Sequence, residues 1–193
     1  MTRRITLLAV LALALALGAC AKRGAEPEAD ATAETDATTE SESTQASYPS
    51  QQVTLRTPIA FASSADVRDA VRDECRLQDK LVRFIKRFSA ERNITVEESG
   101  SPAGGKVLTV AITDVYAPGG GAFSGGKAVT IEAELTENGQ ALGDLRARRI
   151  SGGGAFAAFK GTCDILGRDV ETLGRDVSRF LTDPQPGTRM GNL

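Results

Sequence analysis

The sequence predicts an α+β fold, a two-layer sandwich in which two helices cover one face of a mainly antiparallel sheet of about four strands. Two amphipathic segments with helical spacing, at residues 64–92 and 159–183, predict the helices. Four apolar or alternating segments bounded by glycine, proline or Asn-Gly predict the strands. The order is β-α-β-β-β-α, and the second face of the sheet is left open to solvent or a partner.

The first predicted strand is VTLRTPIAFA, residues 53–62. Pro58 has no backbone N–H, so it confines this strand to a sheet edge or shortens it. Asn138-Gly139 predicts a tight type I′ turn between the last two strands, and Gly143 is a candidate bulge. Three further strands are predicted at 106–116, 128–136 and 140–151.

The stretch GAFSGGKA, residues 121–128, approximates the phosphate-binding pattern G-x-x-x-x-G-K-[ST]. Such a loop needs a helix directly after the lysine, whereas Lys127 is followed by alternating residues typical of a strand. Ala128 also replaces the hydroxyl that would hold magnesium. We therefore predict a hairpin connection and no nucleotide site.

Helical spacing places two cysteines on apolar stripes. The first helix is predicted to begin with Ser64 as its N-cap and to carry Cys75 on its buried face. The second carries Cys163 in a stripe that continues to Leu181. If the helices lie side by side, Cys75 and Cys163 form a structural disulfide; two buried free thiols and a redox-active pair are the alternatives.

The first 19 residues have the features of an export signal, with a basic start and an apolar run that is short for a membrane span. Leu17-Gly18-Ala19-Cys20 resembles the lipobox of bacterial lipoproteins. The resemblance implies cleavage before Cys20, a diacylglycerol on its thiol and an acyl chain such as palmitate on its amino group. Because Ala21 is not aspartate, it also implies sorting to the outer membrane. An ordinary cleaved signal and an uncleaved anchor helix are the alternatives.

Residues 20–52 are predicted to form a disordered acidic tether that follows the lipidated cysteine. From Ala21 to Gln52 seven acidic residues outnumber two basic ones, which gives a charge of −5. Residues 53–182 are predicted to form one globular domain, and residues 183–193 a frayed tail. From Val53 onward 19 basic and 18 acidic residues nearly balance, which argues against nucleic acid and against electrostatic docking on a membrane.

Catalytic and metal-binding patterns are scarce in the sequence. It contains no histidine, which excludes Ser-His-Asp catalysis and the usual zinc sites. Glu132 and Glu134 share the polar face of one predicted strand, opposite Arg146 and Arg148, and are predicted to form cross-strand ion pairs. We predict no catalytic, cofactor-binding or metal-binding residues, and no cofactor beyond the lipid on Cys20.

The stretch ITDVYAPGGGAFSGGKAVTIEAELTENGQALGDL resembles small periplasmic lipoprotein domains related to the curli-export lipoprotein and to the amino-terminal domain of TolB. The likeness covers about residues 53–182. It implies a non-enzymatic envelope domain, facing the periplasm, that binds or assembles with other proteins. A small-ligand-binding accessory protein of an envelope transporter is the alternative function.

Overall fold

The computed structural model describes residues 50–118, 126–152 and 161–193. Within these ranges the chain forms seven strands and three helices. In chain order the elements are β1 (Gln51–Arg56), β2 (Ala60–Phe61), α1 (Asp69–Glu74), α2 (Leu77–Ala90), β3 (Ile94–Ser99), β4 (Lys106–Tyr116), β5 (Lys127–Glu137), β6 (Gln140–Ser151), α3 (Thr162–Phe180) and β7 (Thr188–Gly191). The predicted α+β class is confirmed. The predicted signal peptide, Cys20 and most of the predicted tether lie outside the described residues.

The sheet is mixed, so the prediction of about four mainly antiparallel strands is wrong. Its order is β3-β1-β4-β5-β6-β7, and the short β2 also pairs with β4. Strands β4, β5 and β6 are antiparallel neighbours, whereas β1 runs parallel to both β3 and β4, and β7 runs parallel to β6. The parallel pairing of β1 with β3 arises because the helical segment crosses over between them.

The first predicted strand, 53–62, is divided at Pro58 into β1 and β2. Proline cannot donate a ladder hydrogen bond, and neither strand includes it. The predicted shortening is therefore confirmed. The predicted edge position is wrong, because β1 lies between β3 and β4.

The first predicted helix is two helices, α1 and α2. The break falls at Arg76, which has a left-handed backbone with φ of 49°. Helix α1 begins at Asp69, so the predicted N-cap at Ser64 is wrong. Nothing in the local sequence marks the break, because neither glycine nor proline stands at 75 or 76.

Helix α3 confirms the predicted second helix and its apolar stripe. Its buried stripe includes Leu166, Val170, Leu173 and Val177. Helix α3 packs beside α2 and against β5 and β6. The two helices and one face of the sheet thus enclose the core, as the two-layer prediction required.

Both predicted hairpins are present. Asn138 and Gly139 have φ of 50° and 84°, the positive values that a type I′ turn needs. The register shifts beside Gly143, as predicted for a bulge. Lys127 begins β5, which pairs with β4, so a strand and not a helix follows the glycine-rich loop. The loop residues 119–125 lie outside the described residues.

The predicted frayed tail at 183–193 is wrong, because this segment returns to the sheet and forms β7. Arg146 pairs with Arg189 in the parallel ladder, and the backbone N–H of Asn192 donates to the carbonyl of Arg148 at 2.9 Å. Gly143 makes the return possible. A Cβ there would lie 2.8 Å from the backbone nitrogen of Gln185. The prolines at 184 and 186 end α3 but do not prevent a strand four residues long.

Candidate binding surfaces

The sheet face turned away from α2 and α3, called the open face below, has no described helix packed on it. It carries a shallow concavity of ≈ 480 Å³ that extends across β4, β5, β6 and β7. The concavity is lined by polar or charged side chains and by small or apolar residues: Thr109, Glu132, Glu134, Asp144, Arg146, Thr188 and Arg189 in the first group, Ala111, Ala133, Leu145 and Gly187 in the second.

The charges of the open face are fixed by the β5–β6 register. Glu132 lies opposite Arg146, with Oε1 and Nε 3.8 Å apart, so this predicted ion pair is confirmed. Glu134 lies opposite Asp144 and not opposite Arg148, so the second predicted pair is wrong. Residue numbers run in opposite directions along two antiparallel strands, so moving from Glu132 to Glu134 on β5 corresponds to moving from Arg146 to Asp144 on β6.

The centre of the open face therefore has excess negative charge. Glu134 and Asp144 are direct cross-strand neighbours, and like charges in that position repel. Asp144 Oδ1 accepts a hydrogen bond from the backbone N–H of Gly187 at 2.9 Å, which holds the segment before β7. A cationic side chain of a partner would relieve the repulsion at Glu134.

Two buried aspartates on α3 were missed by sequence reasoning. Asp176 is 1% exposed and accepts two hydrogen bonds from Arg149 of β6, each of 2.7 Å. These hydrogen bonds, more than any other interaction, raise the pKa of Arg149 above its ordinary value. This ion pair fastens α3 to the sheet.

The second buried aspartate, Asp169, lies nearer the start of α3. Its Oδ1 accepts a hydrogen bond from Ser151 Oγ at 2.5 Å, while Oδ2 is buried with no hydrogen-bond partner. Burial raises the pKa of Asp169 to about 6, against the opposing effects of the Ser151 hydrogen bond and the positive charge of Arg168.

The sequence contains a repeat that places this pair on one face of the helix, but it does not show that this face is buried. The tetrapeptide GRDV occurs at 167–170 and again at 174–177. A seven-residue repeat returns each residue to the same helix face, so both aspartates lie on the side of α3 that packs against β6.

Of the predicted site cysteines, Cys75 and Cys163 form a disulfide. The bond joins the end of α1 to the first turn of α3, and Cys75 is 1% exposed. The two cysteines are 88 residues apart in the sequence, so the bond closes a long loop and restrains the helical layer. Lys127, the lysine of the glycine-rich stretch, is buried and donates to the carbonyl of Pro118 at 3.1 Å.

A second concavity, the α2 groove, lies beside α2 where the chain passes from β1 to β2. Its volume is ≈ 570 Å³. Pro58, Ile59 and Val82 form its apolar part, and an ion pair of 2.7 Å between Lys86 and Glu98 lies at its margin. The space between the sheet and the helices, by contrast, is filled by the core.

In residues 50–118, 126–152 and 161–193 no group of three or more His, Cys, Asp or Glu could hold a metal ion. Across that part of the chain no helix is long and apolar enough to span a bilayer.

Comparisons with known proteins give similarity in structure only. No family model and no curated protein matches the chain. A PelC dodecamer from Paraburkholderia phytofirmans is 13% identical, with a TM-score of 0.42 over 65% of this chain and 86% of that one. A minor lipoprotein from Acinetobacter baumannii is 10% identical, with a TM-score of 0.41 over 69% and 91%.

A third solved structure, a DUF330 protein from Xanthomonas campestris, is 13% identical, with a TM-score of 0.47 over 68% of this chain and 83% of that one. Similarity at this level assigns neither a family nor a function to the chain. The resemblance to the curli-export and TolB group stays a prediction.

Proposed function

We propose that this chain is an outer-membrane lipoprotein, anchored through Cys20 and facing the periplasm, whose domain binds an envelope protein without catalysing a reaction. The open face of the sheet is the proposed binding surface. The concavity across β4 to β7 is the observation that carries this proposal. It is broad, its residues lie on regular strands of the sheet, and its charges are not balanced.

The position of Glu134 gives the partner its expected chemistry. Glu134 is exposed and lies opposite a second carboxylate, so a lysine or arginine placed between Glu134 and Asp144 would gain from both. Thr109 on β4 and Arg189 on β7 extend the surface to either side with groups that donate and accept hydrogen bonds. The partner is therefore expected to present a basic side chain within a polar surface.

A non-enzymatic role is supported by how the reactive side chains are used. Cys75 and Cys163 are joined to each other, and Lys127 is buried against the chain's own carbonyl. Glu132 is ion-paired with Arg146. These groups stabilise the fold. The disulfide also supports export, since such bonds persist in oxidising compartments.

Site-specific photo-crosslinking in cells tests the proposed surface. A photoreactive residue at Thr109 or Glu134 is expected to trap one discrete partner, whereas the same residue at Glu74, which is exposed at the end of α1, is not. Glu134→Lys should reduce the yield from Thr109 because it reverses the charge offered to the partner. Equal adducts from Glu74, or none from either open-face position, would contradict the proposal.

The α2 groove favours a second candidate function, that of a small-ligand-binding accessory protein. Its apolar floor at Ile59 and Val82 and its charged margin suit an amphipathic molecule. The ligand would lie beside α2, because the core fills the space between the sheet and the helices. Native mass spectrometry of the purified protein distinguishes the two functions: a stoichiometric small molecule that Val82→Asp removes supports the carrier.

A further inference from the structure

Helix α2 and the residues that flank it have a local excess of positive charge that the overall balance of the domain conceals. Between Arg76 and Arg92, six basic residues stand against two acidic ones. The near-balance of charge from Val53 onward argued against electrostatic docking on a membrane. That argument holds only if the charges are evenly spread over the surface, and they are not.

The basic residues of α2 point away from the core. Leu81, Ile85 and Phe88 form the buried side of α2, and helical spacing places Arg76, Arg83 and Arg87 opposite them. Helix α3 adds exposed arginines beside these. We call this surface the basic helix face and define it by Arg76, Lys80, Arg83, Arg87, Arg168 and Arg175.

Two arginines of the basic helix face are held in place without being neutralised. Arg83 lies over the ring of Phe84 at 5.2 Å, and Arg175 lies over the ring of Phe88 at 4.6 Å. Neither forms an ion pair with a carboxylate in the described part of the chain. A guanidinium stacked on a ring keeps its N–H donors free at the edge, where they suit the oxygens of a phosphate.

The open face has no such excess, because the acidic side chains near its centre stand beside Arg146 and Arg189. The open face has Glu132, Glu134 and Asp144 near its centre, and Glu97 is exposed on the edge strand β3. A domain divided in this way has a preferred orientation beside a negatively charged plane, with its helices toward the plane and the open face away from it.

The chain that leads back toward Cys20 joins the domain at the same end as the basic helix face. The backbone N–H of Gln51, the first residue of β1, donates to the carbonyl of Asn93 at 3.2 Å. Asn93 follows Arg92 directly, just beyond the end of α2. A chain held at Cys20 would therefore enter the domain beside the arginines of α2.

We propose that the basic helix face binds the phosphate headgroups of anionic lipids in the membrane that carries the chain. Arg83 and Arg175 supply the central contacts, Arg87 lies beside them in ion pairs with Glu91 and Glu171, and the open face is left pointing toward the periplasm. This inference rests on the lipid anchor of the proposed function, but the surface can be tested without that anchor.

The experiment uses vesicle co-sedimentation of the chain from residue 20 onward with Cys20→Ser, which removes both lipid attachment and the apolar leader. Vesicles contain either phosphatidylcholine alone or about 30 mol% phosphatidylglycerol. The protein is expected to bind the anionic vesicles and not the neutral ones. Binding should weaken by at least tenfold at about 0.5 M salt, where surface charges are largely screened.

Charge reversal locates the contact. Arg83→Glu with Arg175→Glu is expected to weaken binding to anionic vesicles by at least tenfold. The matched control, Arg56→Glu with Arg189→Glu, makes the same change of net charge on the other side of the domain and should stay within about threefold of the parent. All four side chains are exposed, and unchanged circular dichroism of both variants verifies folding.

Either of two results overturns the inference: no binding of the parent to anionic vesicles, or equal loss in both double variants. If the protein does not bind vesicles and a photoreactive residue at Arg83 traps an acidic protein, the basic helix face belongs to a protein partner instead. Failure here leaves the crosslinks from Thr109 and the lipid on Cys20 unaffected, so it is distinguishable from failure of the proposed function.

Discussion

Helices α2 and α3 are in close contact at Gly174, and the substitution Gly174→Ala tests that contact. A Cβ at this position would lie 2.6 Å from Cβ of Phe84, 3.0 Å from its carbonyl carbon and 3.1 Å from the backbone nitrogen of Ile85. Two of these atoms belong to the backbone of α2, so no side-chain rotation removes the clash. The helices must move apart.

The expected cost follows from two opposing effects. Overpacking a filled interior destabilises a protein by about 1–3 kcal/mol, while replacing glycine by alanine within a helix contributes about 1 kcal/mol of stability. Gly174→Ala should therefore lower the free energy of unfolding by a net amount of up to about 2 kcal/mol. The helix itself supplies the control, because Gly167 occupies the equivalent place in the first GRDV repeat.

At Gly167 an added Cβ would meet only Nζ of Lys80, at an ordinary 3.8 Å. Gly167→Ala is expected to raise the free energy of unfolding by about 0.5–1 kcal/mol. Urea unfolding followed by circular dichroism, with the disulfide intact, measures both variants. If the two alanines change stability in the same direction, the close packing of α2 on α3 at Gly174 is not as described.

Three further predictions concern the contacts that fasten α3. Replacing Cys75 and Cys163 with alanine should lower the free energy of unfolding by about 4 kcal/mol, measured by urea unfolding; a loss below about 1 kcal/mol would contradict a structural role for the bond. Arg149→Met should cost about 3–5 kcal/mol because Asp176 stays buried and keeps only the contact with Arg179 at 3.9 Å. Arg149→Met with Asp176→Leu should recover most of the loss. The raised pKa of Asp169 means that its stabilising contribution is complete below about pH 4 and is lost as the pH rises through about 6. Asp169→Asn should remove this loss and stabilise the protein at pH 7 by about 1–2 kcal/mol. If the stability of the parent and of the variant depends on pH in the same way, the assignment is refuted.

The elements that sequence reasoning predicted correctly are those with a strong local pattern. The stripe from Leu166 to Val177 repeats at three and four residues over several turns, so α3 is predicted almost completely. Asn138-Gly139 fixes its hairpin because both residues tolerate positive φ. The pairing of Cys75 with Cys163 was predicted from their places on two apolar stripes. It is correct even though the first predicted helix is divided into α1 and α2.

The elements that were missed depend on distant partners. Strand β3 is short and alternates only at Ile94 and Val96, and it is stabilised by pairing with β1 across α2. Strand β7 forms because Gly143 lets the returning backbone approach. An aspartate at position 176 of a helix is expected to face solvent, whereas in the structure Asp176 is paired with Arg149 of β6. Each of these features is decided by tertiary contacts that no local window contains.

The anchor at Cys20 is the claim on which the proposed orientation and compartment both depend. Intact-mass analysis of the protein extracted from membranes with detergent tests it most directly. The account predicts a chain that begins at Cys20 and carries a diacylglyceryl group on the thiol and an acyl chain on the amino group, and it predicts that Cys20→Ser abolishes both. A chain recovered with an unmodified Cys20, or one still carrying residues 1–19, would contradict it.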